Sequence, residues 1–333
     1  MNEYIGIDFH RQSSYITRMD KEGNILEQLK VRNREEELGA FLAKHIEESK
    51  IAIEATGNWY YFYELIEEKQ PDVVLSHPLK TRAIASARIK TDKIDSATIA
   101  HLLRSNLLPT AYIPPREVRD VKEILRYRAS LVSLRVAIKN KVRAILSKNG
   151  IVLNYTDIFG KKATVYLKDL ELRSCYRREM DGYIKLAETL NFLIDETSRT
   201  IREMVEGNPK AMLLTTMPGI SYYSALLILA EIGDIKRFCD ARHLCSYAGL
   251  VPSTYQSSDR TRHGKITKQG SRWFRWILVE VSTHAINSSK KFKSLYIRVA
   301  KKHGKNTARV AVAREMLKVI FYMLKYNEPF KNG

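Results

Sequence analysis

The first hundred residues carry an order of strand and helix patterns that few folds can accommodate. Alternating hydrophobicity over residues 4–9, 14–19 and 25–31 predicts three short strands, and the turn residues 21–24 predict a hairpin between the last two. Helix and strand patterns then alternate, with a helix around residues 35–48, a strand at 50–55, a helix from residue 58, a strand at 72–76 and a helix over 91–105. We therefore expect a mixed sheet that begins antiparallel.

This order of elements resembles that of α/β ribonuclease-H-like (RuvC-like) folds, in which three strands precede alternating helices and strands. We expect a domain of this type over residues 1–112. Prolines at positions 109, 114 and 115 then predict a linker.

Two long helices are predicted in the middle of the chain, over residues 118–147 and 183–206. The second places apolar residues near heptad spacing, which is typical of a helix pair or a coiled coil. An intramolecular hairpin and a dimer both satisfy this pattern. We expect a helical coiled-coil region over residues 113–209.

The last part of the chain, residues 210–333, predicts a basic and mainly α-helical domain. A polar stretch at 254–270 interrupts it and has no obvious regular structure. Residues 217–220 and the apolar helix at 223–232 resemble a helix-hairpin-helix element, whose glycine turn offers backbone N–H groups to a phosphate. A simple helix start with proline in the first turn fits the same residues.

The charge of the chain requires a polyanionic partner. Lys and Arg total 56 against 37 Asp and Glu, so the formal net charge is +19, and nucleic acid is the default partner for such an excess. No apolar run approaches the roughly 20 residues of a membrane-spanning helix. We therefore expect a soluble, cytoplasmic protein that does not act at a membrane.

Four carboxylates stand where a ribonuclease-H-like fold would bring them together. Asp8 closes the first strand and Glu54 closes the fourth, its neighbour in such a sheet, while Asp92 and Asp95 share one helix face. Carboxylates that close raise one another's pKa unless cations neutralise them. Oxygen ligands favour Mg²⁺ or Mn²⁺, and two such ions promote phosphodiester cleavage. The alternative is that Asp8 is a turn residue and Asp92 a helix cap.

A serine nucleophile is the second candidate feature. Ser257 lies just before residues 260–275, which contain several cations and no acid. A serine hydroxyl needs such charge, because it is a poor nucleophile and the transition state at phosphorus is anionic. Most loop serines are merely polar, so position alone does not assign this one. The residues expected to contact nucleic acid are Arg11, Arg260, Arg262, Lys265, Lys268, Arg272, Arg275, Lys290, Lys291, Lys301 and Lys302.

Five segments, in this order, resemble the DEDD insertion-sequence transposases of the IS110 group. They are Tyr4-Ile5-Gly6-Ile7-Asp8, Ile53-Glu54-Ala55-Thr56-Gly57, Lys90-Thr91-Asp92-Lys93-Ile94-Asp95, Pro218-Gly219-Ile220 and Ala248-Gly249-Leu250-Val251-Pro252. The resemblance implies a RuvC-like nuclease domain with Asp8, Glu54, Asp92 and Asp95 as an acidic tetrad. It also implies that Ser257 forms a transient phosphoserine link to DNA, that the long helices form a dimer coiled coil, and that a noncoding bridge RNA guides the protein.

The chain departs from the pattern of that group at two positions. Arg11 stands where a lysine usually follows the first aspartate by three, which keeps the charge. Ser258 stands where a glycine usually follows the serine, so Ser257 and Ser258 compete as nucleophiles, and Ser257 matches the tyrosine-x-serine pattern of the group.

We therefore expect a Mg²⁺-dependent transposase that acts on donor and target double-stranded DNA with a bridge RNA, as a dimer or tetramer. One alternative is a Holliday-junction-resolving, RuvC-like endonuclease that activates water and forms no covalent intermediate. The other is a nucleic-acid-binding protein without catalysis.

Overall fold

The computed structural model describes residues 3–45, 47, 49–54, 59–67, 72–85, 91–257 and 260–331. Contacts divide the chain into two compact units, Met1–Pro114 and Pro115–Gly333. The boundary lies close to the predicted end of the first domain. The predicted middle region and the predicted C-terminal domain both fall within the second unit.

The first unit is built around a mixed sheet, as the sequence predicts. Among the described residues the strand order is β3-β2-β1-β4-β5-β6, with β1, β4 and β5 parallel to one another and the others antiparallel to their neighbours. The strands are β1 (Glu3–Phe9), β2 (Ser13–Asp20), β3 (Ile25–Arg32), β4 (Ser49–Glu54), β5 (Val73–Ser76) and β6 (Thr110–Ala111). The helices are α1 (Ala40–His45), preceded by a π-helical turn at Glu35–Gly39, α2 (Trp59–Glu67), α3 (Pro78–Ile84) and α4 (Asp92–Arg104). This arrangement is compatible with a RuvC-like domain.

The side chains of β1 alternate between two faces of the sheet. Ile5, Ile7 and Phe9 are buried in the main core of the unit, together with residues of the π-helical turn, α1 and α2. Gly6 and Asp8 therefore point to the opposite face, which α4 covers.

Gly6 lets α4 lie directly against the sheet. A Cβ at this position would collide with the backbone of Ser96 and Ala100 in α4. In the same layer, the hydroxyl groups of Thr17 and Ser96 form a buried hydrogen bond of 2.8 Å. The small residue on β1 thus brings the start of α4 close to the end of that strand.

The second unit contains an intramolecular pair of long helices, α5 (Arg116–Lys148) and α7 (Ser174–Glu206), with α6 (Lys161–Asp169) between them. Leu125 shares a core with Ile201, and Val142 shares one with Ile184, so the two helices run antiparallel. The pattern at residues 183–206 thus corresponds to a helical hairpin, and a dimer coiled coil stays a prediction. Helix α7 begins well before the predicted start, and it includes Gly182 although glycine is unfavourable inside a helix.

The rest of the second unit is mainly helical, as predicted. Its helices are α8 (Pro209–Thr215), α9 (Tyr222–Ile232), α10 (Ala241–Tyr247), α11 (Arg272–Ser288), α12 (Lys290–His303) and α13 (Lys305–Tyr326). Gly219, in the turn between α8 and α9, has φ +89°, and a Cβ there would collide with the α11 backbone. This glycine therefore allows the helix-hairpin-helix-like turn to pack closely on α11.

One prediction for this unit is wrong. The stretch that lacks an obvious pattern in the sequence forms an antiparallel hairpin of β7 (Pro252–Ser257) and β8 (Arg260–Ile266). Its strands are mostly polar and exposed, so they lack the alternation of apolar residues that identifies a half-buried strand.

Across the described part of the chain, no helix combines the length and the apolar character needed to cross a bilayer.

Candidate metal centre and nucleic-acid interface

Asp8 and Glu54 lie at the same end of the sheet. β1 and β4 are parallel neighbours with Ile7 opposite Ile53, so the next residue of each strand stands at the same level. Side chains alternate along a strand, and Asp8 and Glu54 therefore share the face that α4 covers. This position agrees with the arrangement expected from the sequence.

Asp92 and Asp95 occupy the first turn of α4. Thr91 caps the helix, with its hydroxyl accepting a hydrogen bond from the Ile94 N–H at 3.2 Å. The positive end of the helix dipole favours negative charge in this turn. The cap and the dipole together stabilise two carboxylates at the end of β1.

His10 stands between two of the predicted acids and was not identified from the sequence. Its Nε2 is 3.2 Å from Asp8 Oδ2 and 3.4 Å from Asp92 Oδ1. One ligand atom from each of these three residues lies within 4.8 Å of the other two. Glu54 and Asp95 do not join this close group. The only signal in the sequence was a histidine two positions after a strand-ending aspartate, a pattern too common to single out.

The other three acids all affect the pKa of the Asp8 carboxyl. Burial raises the pKa of the Asp8 carboxyl to about 6, the His10 ring opposes this shift, and the charges of Asp92, Glu54 and Asp95 add to it. The Asp8 side chain is only 4% exposed. Glu54 and Asp95 thus act on Asp8 through charge, although their oxygen atoms lie outside the close group.

The donor set fits a divalent cation. A cation would remove the electrostatic cost of ionising Asp8 beside three other carboxylates. Carboxylate oxygens suit Mg²⁺ and Mn²⁺, whereas an imidazole nitrogen is more usual for zinc, copper, iron and nickel ions. Asp8, His10 and Asp92 could hold such an ion directly, and Glu54 and Asp95 add negative charge around it.

Ser257 ends β7, where it pairs with Arg260 in the backbone register. The side chains of both residues, and Ser258 as a whole, lie outside the described residues. The hairpin is anchored at its base by the segment 248–252: the N–H groups of Thr267 and Lys268 donate to the carbonyls of Val251 and Gly249, at 2.9 and 3.2 Å.

Predicted cationic residues line a groove of about 810 Å³ between the β7–β8 hairpin, α12 and α13. Lys265 and Lys268 contribute to it, as do Arg298 and two cations that were not identified from the sequence, Arg314 and Lys318. Buried Arg314 Nε has no hydrogen-bond partner among the described residues. Arg314 and Lys318 are four positions apart on α13, a spacing that could have identified them as one helix face.

The other predicted cations differ in their surroundings. The side chains of Arg11, Arg262, Arg272, Lys290, Lys291, Lys301 and Lys302 are exposed. Arg275 instead donates to the carbonyls of Gln269 and Gly270, at 2.6 and 3.0 Å. The structure gives Arg275 a role in holding this loop, and its contact with nucleic acid stays a prediction.

Comparisons with known proteins match segments of both units to transposase families. A family model of IS110-type DEDD transposases matches residues 5–149, and the Transposase IS116/IS110/IS902 family model matches residues 211–297. The chain belongs to the IS110 family of DEDD transposases. The first match spans Asp8, Glu54, Asp92 and Asp95, which we call the acid cluster, and the second spans the β7–β8 hairpin.

Individual relatives are similar to this chain over most of their length. The transposase for insertion sequence element IS1111A of Coxiella burnetii is 24% identical over 299 residues, covering 85% of this chain and 79% of that protein. A probable family 20 transposase of Pseudomonas aeruginosa is 23% identical, covering 85% of this chain and 86% of its own. The pilin gene-inverting protein of Moraxella bovis is 25% identical, covering 84% and 81%.

Proposed function

We propose that this transposase cuts and rejoins DNA as the recombinase of an insertion sequence. Asp8, Glu54, Asp92 and Asp95 would hold Mg²⁺ or Mn²⁺, and Ser257 forms a transient covalent bond to DNA. The observation that carries the proposal is the Asp8 carboxyl, buried, with its pKa raised to about 6, and surrounded by three further acids. Such a cluster is costly to ionise unless it binds a cation.

Each group of residues has a separate task. The acid cluster orients the scissile phosphate, and a cation held there would supply positive charge that stabilises a pentavalent transition state. The Ser257 oxygen forms a bond to phosphorus as a sugar oxygen leaves with a proton. A sugar hydroxyl from the exchanging strand later displaces the serine, which restores the hydroxyl group and leaves the number of phosphodiester bonds unchanged.

The partners follow from the same proposal. The exposed cations of the second unit bind the sugar-phosphate backbone of donor and target DNA and of a bridge RNA. The protein acts as a dimer or tetramer, in which the serine of one subunit serves the acid cluster of another. The +19 net charge supports nucleic-acid partners, and the similarity to a pilin gene-inverting protein supports DNA recombination.

Covalent trapping tests the nucleophile. The protein would be mixed with its copurified RNA, Mg²⁺ and a plasmid carrying the DNA that flanks its gene, then denatured and probed for protein–DNA adducts. We expect adducts with the unchanged protein and with Ser258→Ala, and none with Ser257→Ala. Adducts that persist in Ser257→Ala and vanish in Ser258→Ala would move the nucleophile by one residue. Cleavage without any adduct would favour the junction-resolving nuclease.

Charge-neutral variants test the acid cluster. Asp8→Asn and Glu54→Gln should abolish strand cleavage and leave DNA binding intact, because they remove metal ligands and keep the shape of the side chains. Glu22→Gln is the matched control, since Glu22 lies in the β2–β3 turn at the opposite end of the sheet. Unchanged cleavage in both cluster variants would refute the metal site. A flat dependence of DNA binding on salt would refute the basic interface.

A further inference from the structure

A basic groove opens at the end of the sheet where the acid cluster lies. Its volume is about 720 Å³, and Arg11, Lys30, Arg32 and Arg34 line it. These four side chains are exposed, and none has an acidic partner within ion-pair distance among the described residues. Glu37 also lines the groove, and its carboxylate accepts a hydrogen bond from the Arg32 backbone N–H at 3.0 Å. The groove therefore presents a strong excess of positive charge.

The register of the sheet aligns this groove with the acid cluster. Asp8 pairs with Tyr15, and Tyr15 pairs with Lys30. Directly paired residues of neighbouring strands point to the same face, so these three side chains form one row. Strands lie about 4.8 Å apart, which separates Lys30 from Asp8 by about 10 Å. Phosphates of one DNA strand recur about every 3.4 Å along a duplex axis, so a strand crossing Asp8 reaches Lys30 within about three nucleotides.

Hydrogen bonds hold the groove in shape. The Asn33 side chain donates to the His10 carbonyl at 2.6 Å and accepts from the Ser14 hydroxyl at 2.6 Å. The Asn33 backbone N–H donates to the Gln12 carbonyl at 3.0 Å. These bonds tie the turn after β1 to the end of β3, so the walls of the groove are fixed relative to His10. The backbone of such a site loses little conformational entropy when a ligand binds, and the entropy cost falls on the exposed arginine and lysine side chains.

We propose that this groove binds the sugar-phosphate backbone of the DNA strand whose scissile phosphate lies at Asp8. Arg11, Lys30, Arg32 and Arg34 each face the phosphates on one side of the cleavage point and thereby fix the position of the strand. The choice of this strand rests on the proposed function, because the acid cluster selects which phosphate is cut. A guide RNA shares the same backbone chemistry and is the competing occupant that the experiments distinguish.

The salt dependence of binding counts the phosphate contacts. The affinity of the full-length protein for a fluorescent single-stranded DNA oligonucleotide would be measured in EDTA across a range of salt concentrations. The slope of log K against log salt is negative. In Lys30→Ala/Arg32→Ala its magnitude should decrease by about 1.4, at about 0.7 per lost contact. Lys21→Ala/Lys44→Ala removes the same charge at the opposite end of the sheet and should leave the slope unchanged. Equal slopes in the two double variants would overturn the proposal.

Conservative replacement separates a charge contact from a structural role. Arg32→Lys keeps the positive charge and should retain the slope, whereas Arg32→Gln should decrease the magnitude of the slope by about 0.7. Loss of slope in both variants, with unchanged thermal stability, would overturn a simple phosphate contact at Arg32.

Photo-cross-linking identifies the occupant. Tyr15→p-azidophenylalanine places a reactive group between Asp8 and Lys30 in the row, and the protein would be irradiated with differently labelled DNA and copurified RNA. We expect a cross-link to DNA that Lys30→Ala/Arg32→Ala weakens severalfold, and a cross-link to RNA alone would overturn the assignment. Neither binding measurement requires cleavage. If the binding measurements contradict the groove and cleavage still depends on Asp8, only the groove proposal fails and the proposed function stands. If cleavage does not depend on Asp8 and the binding measurements give the expected results, the groove proposal stands.

Discussion

Replacing Asp8 with asparagine should stabilise the metal-free protein at neutral pH. Burial and the neighbouring acids raise the pKa of this carboxyl from 3.8 to about 6. Each pKa unit corresponds to about 1.4 kcal/mol, so ionising Asp8 in the folded chain costs about 3 kcal/mol at pH 7.5. Asparagine has nearly the same volume and no charge, and Asp8→Asn therefore removes this cost.

The expected effect depends on pH in a defined direction. The folded chain keeps the Asp8 proton up to about pH 6, whereas the unfolded chain releases it near pH 3.8. The stability that the bound proton provides is therefore fully present below about pH 3.8 and is lost as pH rises through about 6. The difference between Asp8→Asn and the unchanged protein should be close to zero at pH 4. It should grow between pH 4 and 6 and level off near 3 kcal/mol above pH 7.

Hydrogen-exchange mass spectrometry of the peptide that contains β1, in EDTA, measures the local free energy of opening. Adding Mg²⁺ or Mn²⁺ at pH 7.5 should stabilise the unchanged protein and have little effect on Asp8→Asn. Glu22→Gln serves as the control for a carboxylate removed elsewhere. If Asp8→Asn were less stable than the unchanged protein at every pH, the electrostatic account of the acid cluster would be wrong.

Three further substitutions test how the fold positions the acid cluster and supports the second unit. Gly6→Ala places a methyl group against the α4 backbone; it should cost about 1–3 kcal/mol of unfolding free energy and reduce cleavage, and unchanged thermal stability would contradict the close packing. Thr91→Ala removes the α4 cap and should cost about 1 kcal/mol in urea unfolding, with Thr91→Ser restoring it. Lys122→Met leaves Glu231 buried without its 3.6 Å ion pair. It should cost about 3–5 kcal/mol in calorimetry, and a Lys122→Met/Glu231→Leu double variant as unstable as the single one would refute the pairing.

The sequence alone identified strands β1 to β5, helix α4 and the four acids. The alternation of β1, β2 and β3 and the helical period of α4 depend on neighbouring residues, and these patterns predict strands and helices without knowledge of the fold. Asp8 and Glu54 could be located because a strand-ending residue has a predictable place in a sheet of known order. The motifs that the chain shares with the IS110 group occur in the same order along the chain, and three of them contain these acids. The role of these residues in catalysis stays a prediction.

Only the tertiary structure placed His10 between Asp8 and Asp92, and only the register of β1, β2 and β3 aligned Lys30 with the acid cluster. The exposed β7–β8 hairpin and the antiparallel pairing of α5 with α7 were likewise decided by contacts between distant segments. Local propensity and periodicity act over a few residues, whereas a ligand set or a groove depends on strand register and helix packing. Close contacts between distant segments, such as α4 against Gly6, determine the strand register and helix packing. Periodicity along the chain does not predict these contacts.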